Sequence, residues 1–75
     1  MNSRQRVYFT VVSHYASLGY APTIAEIGRT VGLSSKQSVH RHLETLEEMG
    51  LLHREFDGRM PRSWSPVWAN EIYII

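Results

Sequence analysis

The sequence predicts one small α+β domain in which three helices are followed by a two-stranded β-hairpin. The first observation behind this prediction is a pair of helix signatures joined by a tight turn within residues 23–50. The second is the helical spacing of apolar residues within residues 4–18. The third is a change of pattern after Gly50, where two short strand-like segments flank an Asp-Gly turn signal.

The first helix is predicted over residues 4–18, with Ser3 as its N-cap and Gly19 after its last turn. Residues 7–12 are β-branched and aromatic enough for a strand, but the length of the segment and its caps favour a helix. The expected core-facing residues recur every three or four positions and are Val7, Tyr8, Val11, Val12 and Tyr15.

The next two helices form a helix-turn-helix pattern. Thr23 and Glu26 match a capping box, and Gly32 ends the second helix because the residue after a helix is often left-handed. Ser35 caps the third helix, which we predict over residues 36–49. The expected buried residues are Ile24, Ile27, Gly28 and Val31 on the second helix, and Val39, Leu43 and Leu46 on the third. In DNA-binding proteins with this pattern, the last of these helices enters the major groove.

The hairpin is predicted from residues 51–56 as one strand and residues 63–68 as the other. Asp57-Gly58 supplies the turn, residues 59–62 an extended loop, and Pro66 an edge or a strand end, because proline cannot donate to a β-ladder. Trp64 and Trp68 are expected on one strand face, covering the core rather than stacking on bases. This order of elements is a winged helix-turn-helix over residues 1–68.

Residues 69–75 form an apolar C-terminal tail. Two alternatives stay open for it. The tail folds back over the tryptophans as core cover, or it pairs as an edge strand with a second copy and forms a homodimer.

Composition excludes several classes of protein. The chain has no cysteine, which rules out disulfides and thiolate metal sites. It has neither a signal peptide nor an apolar run near the roughly 20 residues of a membrane span, so we expect a soluble cytoplasmic protein with no membrane partner. The net charge is only +1, but five basic and one acidic residue give +4 in residues 1–42, and three basic and six acidic residues give −3 in residues 43–75. This polarity suits a polyanion, although a solvated surface explains it equally well.

Catalytic and metal chemistry find no support in the sequence. No nucleophile elbow, phosphate loop or pair of catalytic carboxylates is present, so we expect no enzymatic activity, no cofactor and no small-molecule substrate. His40 and His42 point to different sides of one helix, and His14 and His53 lie in separate elements, which argues against a metal site.

Residues 19–50 closely resemble the N-terminal DNA-binding domain of the LexA family of bacterial repressors. The matching residues are Gly19, Pro22-Thr23, Glu26-Ile27, Gly32-Leu33, Ser34-Ser35 and Val39-His40-Arg41-His42-Leu43. Residues 59–62 nearly reproduce the family's Lys/Arg-Pro-Arg wing segment, and the resemblance extends over residues 3–65. It implies a winged helix that binds operator DNA and represses transcription.

The LexA family also has a second domain, with a self-cleaving Ser-Lys dyad and the main dimer contacts. These 75 residues contain no counterpart of it, so self-cleavage and the SOS response are not implied. The chain is either an excised domain or a small stand-alone regulator.

The helical angles and the resemblance select the same candidate DNA contacts, because only the first turns of the third helix reach the groove floor. The candidates are Ser35, Lys36, Gln37, Ser38, His40 and Arg41, together with Arg59 and Arg62 on the wing. Gln37 suits adenine, Arg41 suits guanine and Lys36 suits phosphate. The alternative for Arg41 is an intrahelical pair with Glu44. We expect Glu44 itself to lie on the solvated C-terminal half of the helix, away from the groove.

The sequence therefore predicts specific binding to a double-stranded DNA operator and transcriptional repression. One alternative is a winged helix that binds proteins, which the polar face formed by Gln37, Ser38, His40 and Arg41 does not favour. The other alternative is a DNA-binding protein of replication or plasmid maintenance, which only the location of the operator would distinguish.

Overall fold

The computed structural model describes residues 1–54 and 63–71, and in them the predicted order of three helices and a hairpin is confirmed. The elements are α1 (Ser3–Leu18), α2 (Ile24–Val31), α3 (Lys36–Glu48), β1 (Leu52–Arg54), β2 (Trp64–Pro66) and α4 (Trp68–Glu71). The strands pair antiparallel, with Leu52 opposite Pro66 and Arg54 opposite Trp64. The predicted turn at residues 57–58, the loop at residues 59–62 and the tail beyond residue 71 lie outside the described residues. In the described ranges, no helix is long and apolar enough to cross a membrane.

Local side-chain chemistry sets the ends of the first two helices. The prediction of Ser3 as the first N-cap is wrong by one residue, because Asn2 forms a full capping box with Gln5, with N···O distances of 2.8 and 3.0 Å. The predicted box of Thr23 and Glu26 is confirmed, with distances of 2.8 and 3.0 Å. Gly32 adopts a left-handed φ of 84° after α2, as predicted.

The core lies where the three helices and the hairpin meet. It consists of Val7, Val11, Ile27, Val31, Val39, Leu43, Leu46, Leu52 and Trp64. The buried residues predicted for α3 are confirmed, as are Ile27, Gly28 and Val31 of α2, whereas Ile24 is half-buried and packs against the edge of the core. On α1 only Val7 and Val11 are fully buried, while Tyr8 packs against the core from its edge.

The prediction that Trp64 and Trp68 share a strand face is wrong. Trp64 is 1% exposed within β2, whereas Trp68 is 36% exposed and begins α4. The strand ends at Pro66, which has no N–H to donate, and the Val67 N–H then donates to the Leu51 carbonyl at 3.2 Å. Trp68 instead packs edge-on against Tyr15 of α1, with ring centroids 6.1 Å apart. The short helix α4 therefore returns the chain to α1.

The turn between α2 and α3 depends on a close approach at Gly28. A Cβ atom there would lie 2.9 Å from the Leu33 carbonyl oxygen, a backbone atom that cannot rotate away. The same turn is closed by the Leu33 N–H, which donates to the Gly28 carbonyl at 2.9 Å. Any larger residue at position 28 would push α3 away from α2.

Replacing Leu43 with alanine tests the packing of α3. Leu43 is 0% exposed, so Leu43→Ala leaves a cavity and should lower the free energy of unfolding by about 2–5 kcal/mol. Leu18→Ala is the matched control, because Leu18 is 54% exposed and should change stability by about 0.5 kcal/mol or less. Chemical denaturation followed by circular dichroism measures both values. Equal stability of the two variants would show that the buried face of α3 is misassigned.

Candidate nucleic-acid interface

The N-terminal end of α3 is capped and open to solvent. The Ser35 hydroxyl oxygen accepts a hydrogen bond from the Ser38 N–H at 3.3 Å, which confirms Ser35 as the N-cap. Val39, Leu43 and Leu46 face the core, so the opposite side of the helix faces outward. The helix α3 is therefore rotated as predicted, with the opposite side available for contact with DNA.

The structure brings four of the predicted DNA contacts together. Lys36, Gln37, His40 and Arg41 line one shallow, solvent-open depression, together with Ile24 and Glu44. Lys36, Gln37 and Arg41 are exposed and His40 is half-buried.

The remaining predicted contacts lie beside this depression or outside the described residues. Ser35 lines an adjoining depression at the α2–α3 turn, and Ser38 is a half-buried residue of the first turn of α3. Arg59 and Arg62 fall in residues 55–62, outside the described part of the chain, so their contact with DNA stays a prediction.

Glu44 lines the same depression as the predicted DNA contacts. The sequence predicted Glu44 on the solvated C-terminal half of α3, away from the groove. Its side chain is 48% exposed, but its position beside Lys36 and Arg41 shows that the expected separation from this surface is wrong. It follows Gln37 by seven residues, which is about two helical turns, so both side chains lie on the same side of the helix. One carboxylate therefore stands next to the surface proposed to meet a polyanion.

The close contacts of Glu44 bear on the alternative role of Arg41. Glu44 Oε1 lies 3.3 Å from His40 Nδ1, and Glu44 Oε2 lies 3.8 Å from Arg54 Nη2. Among the described residues, neither of these contacts of Glu44 involves Arg41. The guanidinium of Arg41 thus projects from an exposed position without the intrahelical pair that was its alternative role.

His40 is more constrained than its exposed neighbours. Besides the contact with Glu44, its ring packs edge-on against Trp64, with centroids 5.6 Å apart and ring planes 87° apart. These two contacts fix the orientation of the imidazole relative to the hairpin. Its contact with a base stays a prediction.

Arg54 is a residue of this surface that sequence reasoning missed. Its Nη2 atom lies 3.0 Å from Glu47 Oε1 on α3, and its Cζ atom lies 4.4 Å from the centroid of the Trp64 ring. The sequence did not reveal these contacts because they depend on the strand register, which places Arg54 opposite Trp64. Residues 57–62 did not determine how many residues connect the two strands.

Arg29 is a second cation that the sequence analysis did not select. It is exposed in the last turn of α2 and lines the depression at the α2–α3 turn with Ser34, Ser35 and Lys36. The signal for it was available, since Arg29 lies outside the apolar stripe of α2 and close to the turn that precedes α3. In the ranges that the structure describes, no group of three or more potential ligands could hold a metal ion.

Comparison with known proteins shows the family to which this sequence is similar. The profile of the LexA DNA binding domain family matches residues 1–63. A LexA repressor of Thermobifida fusca is 44% identical over 64 residues, which are 84% of this chain and 25% of that protein.

Two further relatives match shorter segments. A LexA repressor of Exiguobacterium sibiricum is 40% identical over 52 residues, or 69% of this chain and 26% of that protein. A LexA repressor of Oenococcus oeni is 57% identical over 37 residues, or 49% of this chain and 18% of that protein. The chain spans about a quarter or less of the length of these relatives.

Proposed function

This chain belongs to the LexA DNA binding domain family, and we propose that it binds a specific sequence of double-stranded DNA and represses transcription there. The observation that carries the proposal is the shared depression of Lys36, Gln37, His40 and Arg41 at the N-terminal end of α3. Repression is inferred from relatives that bear the name LexA repressor. A protein of this kind acts in the cytoplasm, where bacterial DNA lies.

The side chains at this end of α3 divide into base readers and phosphate contacts. Gln37 and Arg41 project opposite the buried face, and their amide and guanidinium groups suit bidentate pairing with adenine and guanine. Lys36 and the backbone N–H groups of the first helical turn suit phosphate oxygens. Ser35 uses its oxygen as a helix cap, which leaves its O–H as a donor to DNA. Ser38 lies in the same first turn of α3 and can contact a base or a phosphate.

Arg59 and Arg62 complete the proposed contact set from the wing. They follow β1 and precede β2 in the chain. At the described ends of those strands, Arg54 contacts Glu44 of α3 and Trp64 contacts His40 of α3. Both ends of the described strands thus lie beside α3, which supports the proposal that Arg59 and Arg62 contact the flanking phosphates or the minor groove.

Selection from a pool of random duplexes tests the proposal directly. The purified chain should enrich one sequence motif, because base-edge contacts discriminate each position by about 1–3 kcal/mol. The parallel control omits the protein. Absence of enrichment would remove the claim of specific DNA binding and favour a winged helix that binds proteins.

Single substitutions should separate base readers from phosphate contacts. Arg41→Ala and Gln37→Ala should each weaken binding to the selected duplex by about 1–3 kcal/mol and change binding to a random duplex little. Lys36→Ala is the contrasting control, since it should weaken both kinds of binding and lower the salt slope by about one. Fluorescence anisotropy at several salt concentrations measures all three. Equal losses on both duplexes for Arg41→Ala would mean that Arg41 does not read bases.

We also propose that two copies bind a symmetric operator, because one winged helix occupies a single half-site. Ala69 is 2% exposed, so the first part of the tail is anchored in the domain. Residues 72–75, which lie outside the described part, are the proposed contact between copies.

The cooperativity of DNA binding tests whether two copies associate on the operator. The full chain should bind a two-half-site duplex cooperatively, and a chain lacking residues 72–75 should bind each half-site independently, because the tether between copies is lost. A one-half-site duplex serves as the control and should bind both chains alike. Undiminished cooperativity after the deletion would exclude the tail as the contact.

A further inference from the structure

Arg54 contacts three side chains that belong to two different elements. On α3, its Nη2 atom lies 3.0 Å from Glu47 Oε1 and 3.8 Å from Glu44 Oε2. On β2, the Trp64 ring lies under its guanidinium at 4.4 Å. A planar guanidinium is able to stack on an aromatic ring and pair with carboxylates at the same time, which a lysine cannot do equally well.

These contacts close a ring that includes a predicted DNA contact. Arg54 pairs with Glu44, Glu44 pairs with His40 at 3.3 Å, His40 packs edge-on against Trp64, and Trp64 lies under Arg54. In such a ring, displacement of one member disturbs the contacts of its neighbours. The orientation of His40 on the DNA-facing surface is therefore linked to the position of the hairpin.

Charge gives Arg54 a second effect on the same surface. Glu44 lines the depression with Lys36 and Arg41, and Glu47 lies one turn further along α3. Unpaired carboxylates at this position would repel the phosphates of an approaching duplex. The Arg54 guanidinium lies within 4.0 Å of both carboxylates and offsets their charge.

We propose that Arg54 is a positioning residue for DNA binding, which acts through its neighbours rather than by reading bases. It holds the hairpin against α3, fixes His40 through Glu44 and Trp64, and offsets the charges of Glu44 and Glu47. This inference rests on the proposed function, because it concerns the affinity of the same surface for DNA.

Arg54→Gln should weaken binding to the selected duplex by about ten-fold, a typical coupling between contacting residues, and weaken random-duplex binding less. Arg6→Gln is the matched control, since it removes the same charge from an exposed position on α1 and should affect both duplexes slightly and alike. Binding is measured by anisotropy at a temperature where circular dichroism shows each variant folded. If Arg54→Gln does not fold, Arg54→Lys replaces it and should lose part of the specific affinity, because it keeps the charge but not the stacking.

A double-mutant cycle distinguishes positioning from direct contact with DNA. Arg54→Gln is made again in a chain that carries both Glu44→Gln and Glu47→Gln. If Arg54 acts through these carboxylates, its substitution should now cost only about two- to three-fold in affinity. An undiminished loss would contradict action through Glu44 and Glu47, and no loss in either background would show that Arg54 has no part in binding. Failure of the unsubstituted chain to select any sequence would instead contradict the proposed function.

Discussion

The burial of one face of α3 is the constraint on which the rest of the structure depends. Val39, Leu43 and Leu46 are each 2% exposed or less, and α1, α2 and the hairpin all pack against the helix that carries them. Because these three side chains fix the rotation of α3, they also determine that Gln37 and Arg41 point outward. The apolar residues of α3 therefore determine which of its side chains are available for the proposed contact with DNA.

The residues at the end of α2 and at the start of α3 determine where α3 begins, independently of the core. Gly32 ends α2 and Ser35 caps α3 three residues later, so the turn is short and the first N–H groups of α3 remain at the surface. The close approach at Gly28 brings the turn against α2. The core determines which side of α3 faces outward, and the caps determine the residue at which α3 begins.

Local signals in the sequence were sufficient for α1, α2 and α3, for most of their buried residues and for the caps at Thr23 and Ser35, because each depends on residues within one or two turns. Asn2 and Ser3 are both good caps, and only the partner Gln5 decided between them. Helix α4 is four residues long, too short for any periodicity to reveal. The contacts of Arg54 with Glu44 and Glu47 depend on the register of the hairpin and its packing on α3, which no local pattern encodes.

Trp64 connects the apolar core with the surface proposed to bind DNA. It is a member of the core cluster with Leu52 and Leu43, and its ring also contacts Arg54 and His40. A hairpin with strands of three residues has little stability of its own, so its position depends on this burial. Packing of the hairpin and orientation of the surface residues are consequently coupled. The Trp64 ring system packs in the core cluster, and the same side chain contacts His40 and Arg54.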